Sequence, residues 1–321
     1  MPVSLTKNKK SKEELNRLIQ KAFPNECTQD IIELKEGFFN VAYQIIFKSG
    51  LNTILKIAPP VDIEIMTYEK NIMFSEVDSM KMIQSKTKAP VAKIIFYDSS
   101  HSLCDSDYFF MEMLEGRSLS SCMDSLSEKD RNNIYFQMGQ YTYMLNEVKG
   151  LKFGYYGQKD KQGDNWYLVF KSMIEDIYYD AKRKDTLIPV PKDDLLLLLE
   201  KDREIFEQIK EPSFVHWDIW AGNVFVQNGS VSGIIDFERC LWADPLMEVG
   251  FRTYGYEKSF FDGYRTDKLD EAQEKRAKWY DIYLFLILCP ECDYRMYDNR
   301  WFYDWGSEML IKWIEEKREK R

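Results

Sequence analysis

The stretch Phe214–Cys240, FVHWDIWAGNVFVQNGSVSGIIDFERC, decides how the rest of the chain is read. It spends one of only 2 histidines, His216, two positions before Asp218, and then sets Asn223 and Asp236 further along. Asn228-Gly229 separates two short apolar runs. That dipeptide is the signature of a type I′ hairpin, because both central positions of the turn need positive φ. The stretch therefore predicts a loop carrying His216, Asp218 and Asn223, then a hairpin that returns Asp236 toward the loop.

An amide and a carboxylate are the hard oxygen donors that Mg²⁺ takes while it keeps several waters. Phosphoryl transfer asks a protein for a base at the attacking hydroxyl, a metal on the phosphates and a cation to orient them. On that template Asn223 and Asp236 are the magnesium ligands if the hairpin brings them together, and Asp218 turns its carboxylate toward an acceptor hydroxyl. A plainer reading makes Asp218 and Asn223 turn caps that bond their own backbone, and Asp236 a turn residue after a strand. It leaves the joint spacing of the three without explanation.

Working outward, residues 11–22 read as a helix, and three strands follow over 31–57, IIELKEG, NVAYQIIFKSG and NTILKIA. Val41, Tyr43, Ile45 and Phe47 alternate with period two. Pro59-Pro60 ends the meander, and a helical pattern runs from about 62 to 84. KIIFYD and YFFMEML complete a five-stranded antiparallel sheet with one helix against it, and LEGRSL reads as a linker. Beyond it the pattern is of long helices, over about 128–148, 165–183 and 192–210, the last with an apolar stripe of Leu195, Leu198, Leu199, Ile205 and Ile209. From about 256 the chain returns to helix and ends in an aromatic-rich segment. The expected fold is α+β and bilobal: an N-terminal lobe over residues 1–112, and a larger, mainly helical C-terminal lobe over residues 113–321.

Lys56 lies among apolar residues in TILKIAPP, where an ammonium is costly to bury without a partner. Either its stem covers apolar surface while its head reaches water, or it has a buried acid. Glu76 is the first choice for that acid and Glu69 its rival.

HWDIWAGN followed by GIIDFE resembles the His-x-Asp-x-x-x-x-Asn and Ile-Asp-Phe motifs of the aminoglycoside phosphotransferase and choline kinase family, which has a protein-kinase-like fold. The resemblance implies that Asp218 is the catalytic base, that Asn223 and Asp236 bind Mg²⁺, and that His216 supports the loop. It implies that Lys56 contacts the α- and β-phosphates of ATP or GTP and pairs with a helix glutamate. KEGFFNVAY resembles the family's phosphate-covering loop, with Gly37 and Asn40 in the matching places; by itself it is also an ordinary hairpin turn. FFMEMLEG resembles the hinge that meets the base, with Met111 bordering it and backbone groups of Glu112 and Leu114 at its edge; read alone it is a buried strand entering a turn. Trp217 departs from the pattern, since the family usually has glycine there. The resemblance covers about residues 31 to 250 and leaves the final seventy unassigned.

Asp244 before Pro245 reads as a helix start, with Asp as cap and Pro at the first position. Trp217, Trp220 and Trp242 either line an acceptor pocket or pack in the core. Cys289 and Cys292 form a C-x-x-C, but no Cys or His follows to complete a zinc site, so the 6 cysteines read as reduced thiols of a cytoplasmic protein.

The chain has 321 residues, 45% of them hydrophobic and 30% charged, with a formal net charge of -9. That balance argues against non-specific nucleic-acid binding and suits a cationic partner. No apolar run is long enough to span a membrane, and neither G-x-x-x-x-G-K-[ST] nor G-x-G-x-x-G occurs. The expected activity is transfer of a γ-phosphoryl group from ATP or GTP to a hydroxyl of a small molecule. An aminoglycoside-type antibiotic is one candidate acceptor, and macrolides, choline-like amines, amino-alcohols and sugars are others. A metal-dependent phosphoester hydrolase and a nucleotide-binding module without turnover are the competing classes.

Overall fold

The computed structural model describes residues 7–35 and 39–319. Helix α1 (Lys12–Ala22) starts at a capping box in which the Ser11 hydroxyl accepts from the Glu14 amide and the Glu14 carboxylate accepts from the Ser11 amide. Two otherwise orphaned donors are thereby satisfied. Strands β1 (Thr28–Leu34), β2 (Val41–Phe47), β3 (Asn52–Ile57), β4 (Ile94–Asp98) and β5 (Tyr108–Glu112) form one sheet in the order β1-β2-β3-β5-β4. Every neighbouring pair is antiparallel.

Strand alternation decides what each face meets. Val41, Tyr43, Ile45 and Phe47 join Leu55, Ile57, Tyr108 and Phe110 beneath α1, whose stripe of Leu15, Leu18 and Ile19 closes that core. Ile54, Phe109 and Met111 face the other way, toward helix α2 (Ile72–Lys86), in a core continuous with that of the C-terminal lobe. Lys56 lies between Leu55 and Ile57 in β3 and so shares the α2 face.

Helix α2 begins at Ile72, ten residues later than its sequence pattern suggests. The segment before it is used for tertiary bonds instead. Thr67 gives both its amide and its hydroxyl to Asp180, and Asn71 takes φ +57°, which ends any helical run.

The C-terminal lobe runs β6 (Arg117–Ser118), α3 (Leu119–Cys122), α4 (Glu128–Asn146), β7 (Gly154–Tyr155), α5 (Trp166–Arg183), α6 (Lys192–Lys201), α7 (Arg203–Glu207), β8 (Ser213–Val215), β9 (Val224–Gln227), β10 (Ser230–Ile234), β11 (Leu241–Ala243), α8 (Lys258–Tyr264), α9 (Glu271–Tyr294) and α10 (Trp301–Glu319). The segment expected to be a plain linker is partly a strand, since β6 pairs with β9 at the edge of a β10-β9-β6 sheet. Gly116 permits the approach: it sits at φ +95°, and a Cβ there would lie 2.2 Å from the Val226 carbonyl oxygen. Asn228 and Gly229 have φ of +50° and +72°, as the type I′ turn requires.

One expected helix over 192–210 is two, α6 and α7. Asp202 breaks it where its carboxylate accepts the indole N–H of Trp279 at 2.9 Å. Helix α9 is buried along most of its length and is the axis of the lobe, with Phe170 stacked on Phe206 and edge-on to Tyr280. Cys289 and Cys292 are free buried thiols on α9, each bonded back to a carbonyl one turn earlier. Among the described residues no helix is long and apolar enough to cross a membrane.

Candidate active site

The loop after β8 is shaped from below by Glu248. Its two carboxylate oxygens accept the backbone amides of His216 and Trp217 at 2.9 and 3.0 Å, and Asn146 donates to the same group at 3.2 Å. Trp217 sits at φ +70°, the region that favours glycine. A buried carboxylate clamp and the packing of the indole against Tyr68 and Tyr283 hold it there. The glycine usual in the family fits this same backbone, so the departure read from the sequence lies in the side chain.

His216 is fully buried and ties loop to hairpin. The Asp218 amide donates to Nδ1 at 3.2 Å, so the ring proton is on Nε2, where it donates to the Ile235 carbonyl at 3.0 Å. Burial pushes its pKa down to about 4, and the ring is neutral. It supports the loop and does not face the cleft.

Asn223 donates its side-chain amide to Asp218 twice, to the main-chain carbonyl at 2.9 Å and to the carboxylate at 3.1 Å. The main-chain carbonyl of Asn223 accepts the Ile235 amide at 3.0 Å, which carries the chain directly into Asp236. Burial raises the Asp218 carboxyl to about 7; Arg239 opposes that rise, and Asp236 and Glu238 add to it.

Lys56 donates to Glu76 at 2.6 Å and also to Asp236, so one ammonium joins β3, α2 and the loop after β10. Burial works against its charge, but Asp236 and Glu76 more than offset that and hold its pKa above the ordinary value. Burial pushes the Glu76 carboxyl up while Lys56 pulls it back. Glu69, the rival, belongs to another pair: its carboxylate takes Arg295 at 2.6 Å. Asn40 reaches the same region and donates to Glu238 at 2.7 Å, so its amide ties the start of β2 to the C-terminal lobe. Gly37 lies outside the described residues.

Among the described residues no cluster of three or more His, Cys, Asp or Glu side chains is arranged to hold a metal. The donors on offer are the Asn223 amide oxygen and the Asp236 carboxylate, the latter a third exposed. Both line one cleft. Two hard oxygens suit Mg²⁺, which completes its shell from phosphates and water, and do not suit zinc.

That cleft has a volume of about 1040 Å³ and runs between the sheet and the helical lobe. At the sheet end Ala42, Ile54, Met111 and Leu114 give the cleft an apolar wall. The Glu112 amide is already bonded to the Lys93 carbonyl at 2.9 Å, which leaves Glu112 only its carbonyl for a base edge. Lys56, Asp218, Asn223 and Asp236 line the middle, and Glu76 stands behind Lys56.

The sequence reading missed the other end. Helices α9 and α10 contribute Glu291 and Trp305 there, with Arg295 just past α9. Glu291 accepts Arg239 at 2.6 Å, Arg295 at 3.1 Å and the Tyr68 hydroxyl at 3.1 Å. Trp217 and Trp220 line the cleft, whereas Trp242 stacks on Tyr156 away from it. Asp244 caps the turn at Pro245 as expected and also takes Arg276 at 2.7 Å.

Residues 30–281 match the model of the phosphotransferase enzyme family. Two curated proteins of Aspergillus fumigatus, both subtelomeric hrmA-associated cluster proteins, are 30% identical over 129 residues, which is 40% of this chain but only 24% of theirs. The chain thus spans about a quarter of the length of those relatives. Among solved structures, the streptomycin–ATP ternary complex of APH(2")-IIa superposes with a TM-score of 0.63 at 15% identity, covering 95% of this chain and 97% of that one. The GDP complex of aminoglycoside 2'-phosphotransferase-IIIa gives 0.65 at 14% identity over 94% and 98%. A candidate fructosamine-3-kinase from Thermobifida fusca gives 0.65 at 14% identity over 92% and 99%. At these identities the likeness is one of fold.

Proposed function

Because the chain belongs to the phosphotransferase enzyme family, we propose that it transfers the γ-phosphoryl group of ATP or GTP to a hydroxyl of a small molecule. The observation that carries this reading is the convergence of Lys56, Asp218, Asn223 and Asp236 on one cleft, with Glu76 fixing the lysine from behind.

Asp218 accepts the proton of the acceptor hydroxyl as its oxygen forms a bond to phosphorus and the bond to the β-phosphate oxygen breaks. ADP or GDP leaves. Asn223 holds the Asp218 carboxylate in place through Nδ2. Lys56 orients the phosphates, and the apolar wall from Ile54 to Leu114 holds the base. Asn223 and Asp236 are the residues that would hold Mg²⁺, which when bound neutralises charge on the phosphates. The nucleotide then sits on the lobe of residues 1–112 and the acceptor on that of residues 113–321, in a cytoplasmic enzyme with ready access to nucleoside triphosphate.

The acceptors weighed from the sequence all remain within this reading: aminoglycosides, macrolides, choline-like and amino-alcohol metabolites, and sugars. Streptomycin and kanamycin occupy the complexes of structurally similar enzymes. A phosphoester hydrolase using the same residues would call for more metal ligands than Asn223 and Asp236. Product analysis tests the proposal: each ADP released should be matched by one phosphorylated acceptor, whereas ADP and free phosphate without it would indicate hydrolysis.

A further inference from the structure

We infer that the acceptor is a ring-bearing alcohol with no positive charge, held in the aromatic end of the cleft beside Asp218; this rests on the phosphotransferase reading. The walls supply the first reason. Trp217 and Trp220 come from the Asp218 loop, and Tyr254, Phe302 and Trp305 from the far side. Tyr254 meets Trp305 edge-on with ring centroids 5.9 Å apart, and Tyr254 and Trp220 keep 48% and 37% of their surface exposed. Open ring faces of this kind bind flat apolar groups by stacking and burial.

Charge supplies the second. Three guanidinium groups line this end, from Arg239, Arg252 and Arg295, against two carboxylates, Asp218 and Glu291. Glu291 is buried and already accepts from Arg239, Arg295 and Tyr68. Asp218 is committed to the acceptor hydroxyl. The other acids of the cleft lie toward the nucleotide: Asp236 is bound to Lys56, Glu238 to Asn40, and Glu33 and Glu112 belong to the sheet. Each guanidinium is itself paired, Arg239 with Glu291, Arg295 with Glu291 and Glu69, and Arg252 with Asp281, so a polyamine would find no uncommitted carboxylate at this end.

The third reason bears on single ammonium groups. Two of the aromatic rings lining the cleft already carry a guanidinium, Trp217 with Arg239 at 5.6 Å and Phe39 with Arg295 at 4.5 Å. A cation–π site that already holds a guanidinium does not recruit a second cation.

The test sets a panel of neutral aryl glycosides and arylalkyl alcohols, such as 4-nitrophenyl β-glucoside and 2-naphthylethanol, against kanamycin and choline. Each is presented to the full chain with MgATP, and phosphorylated product is followed by mass spectrometry. At least one neutral alcohol should be phosphorylated with a kcat/KM above those of both cations. Trp305→Ala should raise its KM about tenfold, the worth of one aromatic stacking contact, with KM for ATP unchanged; Tyr254→Ala is the second variant should the first not fold. Preference for kanamycin or choline, failure of every neutral alcohol, or an acceptor KM indifferent to both variants overturns the inference. Binding of MgATP, measured separately by calorimetry, shows whether the phosphotransferase reading survives such an outcome; its absence would sink that reading instead.

Discussion

Asn223 donates to the Asp218 carboxylate at 3.1 Å while offering only its carbonyl oxygen to a metal. The two duties can be separated. Asn223→Asp keeps an oxygen for Mg²⁺ but replaces the donor with a second negative charge facing Asp218. Loss of a hydrogen bond to a charged group is worth about 1.5–3 kcal/mol, so kcat should fall roughly 10- to 100-fold. Steady-state kinetics at saturating Mg²⁺ decides it; an unimpaired kcat would mean that Asn223 serves the metal alone.

Lys56 reaches Glu76, not Glu69. Glu76→Gln should fold, lose about 1–3 kcal/mol in urea denaturation, and raise KM for ATP. Glu69→Gln breaks the buried pair with Arg295, so it should also cost stability, but KM for ATP should stay put. The reverse pattern in the two variants would reassign the partner of Lys56.

At Trp217 strain and packing oppose each other. Glycine would relieve about 1–2 kcal/mol of left-handed strain, while removing a buried tryptophan side chain costs about 3–5 kcal/mol. Trp217→Gly is therefore expected to be less stable by about 1–4 kcal/mol, read from denaturant midpoints. A variant as stable as the parent would show that strain dominates.

His216 makes stability depend on pH. Its folded pKa of about 4 lies below the ordinary 6.5, so between those values the unfolded chain takes up a proton that the native one refuses. The contribution is complete above pH 6.5 and is lost as pH falls toward 4, by about 3 kcal/mol in all. His216→Gln should flatten the stability–pH curve over that window. An unaltered slope would place the titration on other groups.

Much of this was legible in the sequence because it rests on local rules. Alternation gave the strands, Asn228-Gly229 gave the hairpin, and the spacing after His216 gave Asp218, Asn223 and Asp236 as residues that share the cleft. What stayed hidden depends on contacts distant in the chain. Residues 62–71 have helical periodicity, but Thr67 bonds to Asp180 and Glu69 to Arg295, which draws that segment out of a helix. Glu248, which fixes the loop from below, follows Asp218 by thirty residues with no motif to announce it. The aromatic end of the cleft comes largely from the unassigned C-terminus, where Phe302 and Trp305 have the look of core residues until α10 is packed against α9.

The central claim is that Asp218 takes the proton from the acceptor. Asp218→Asn retains the shape of the loop and removes the base, and general-base catalysis contributes roughly 10²–10⁴-fold. The most direct measurement is single-turnover phosphorylation by this variant alongside calorimetric titration with MgATP. The account predicts nucleotide binding close to that of the parent with transfer reduced about 10³-fold; transfer at the parental rate would contradict it.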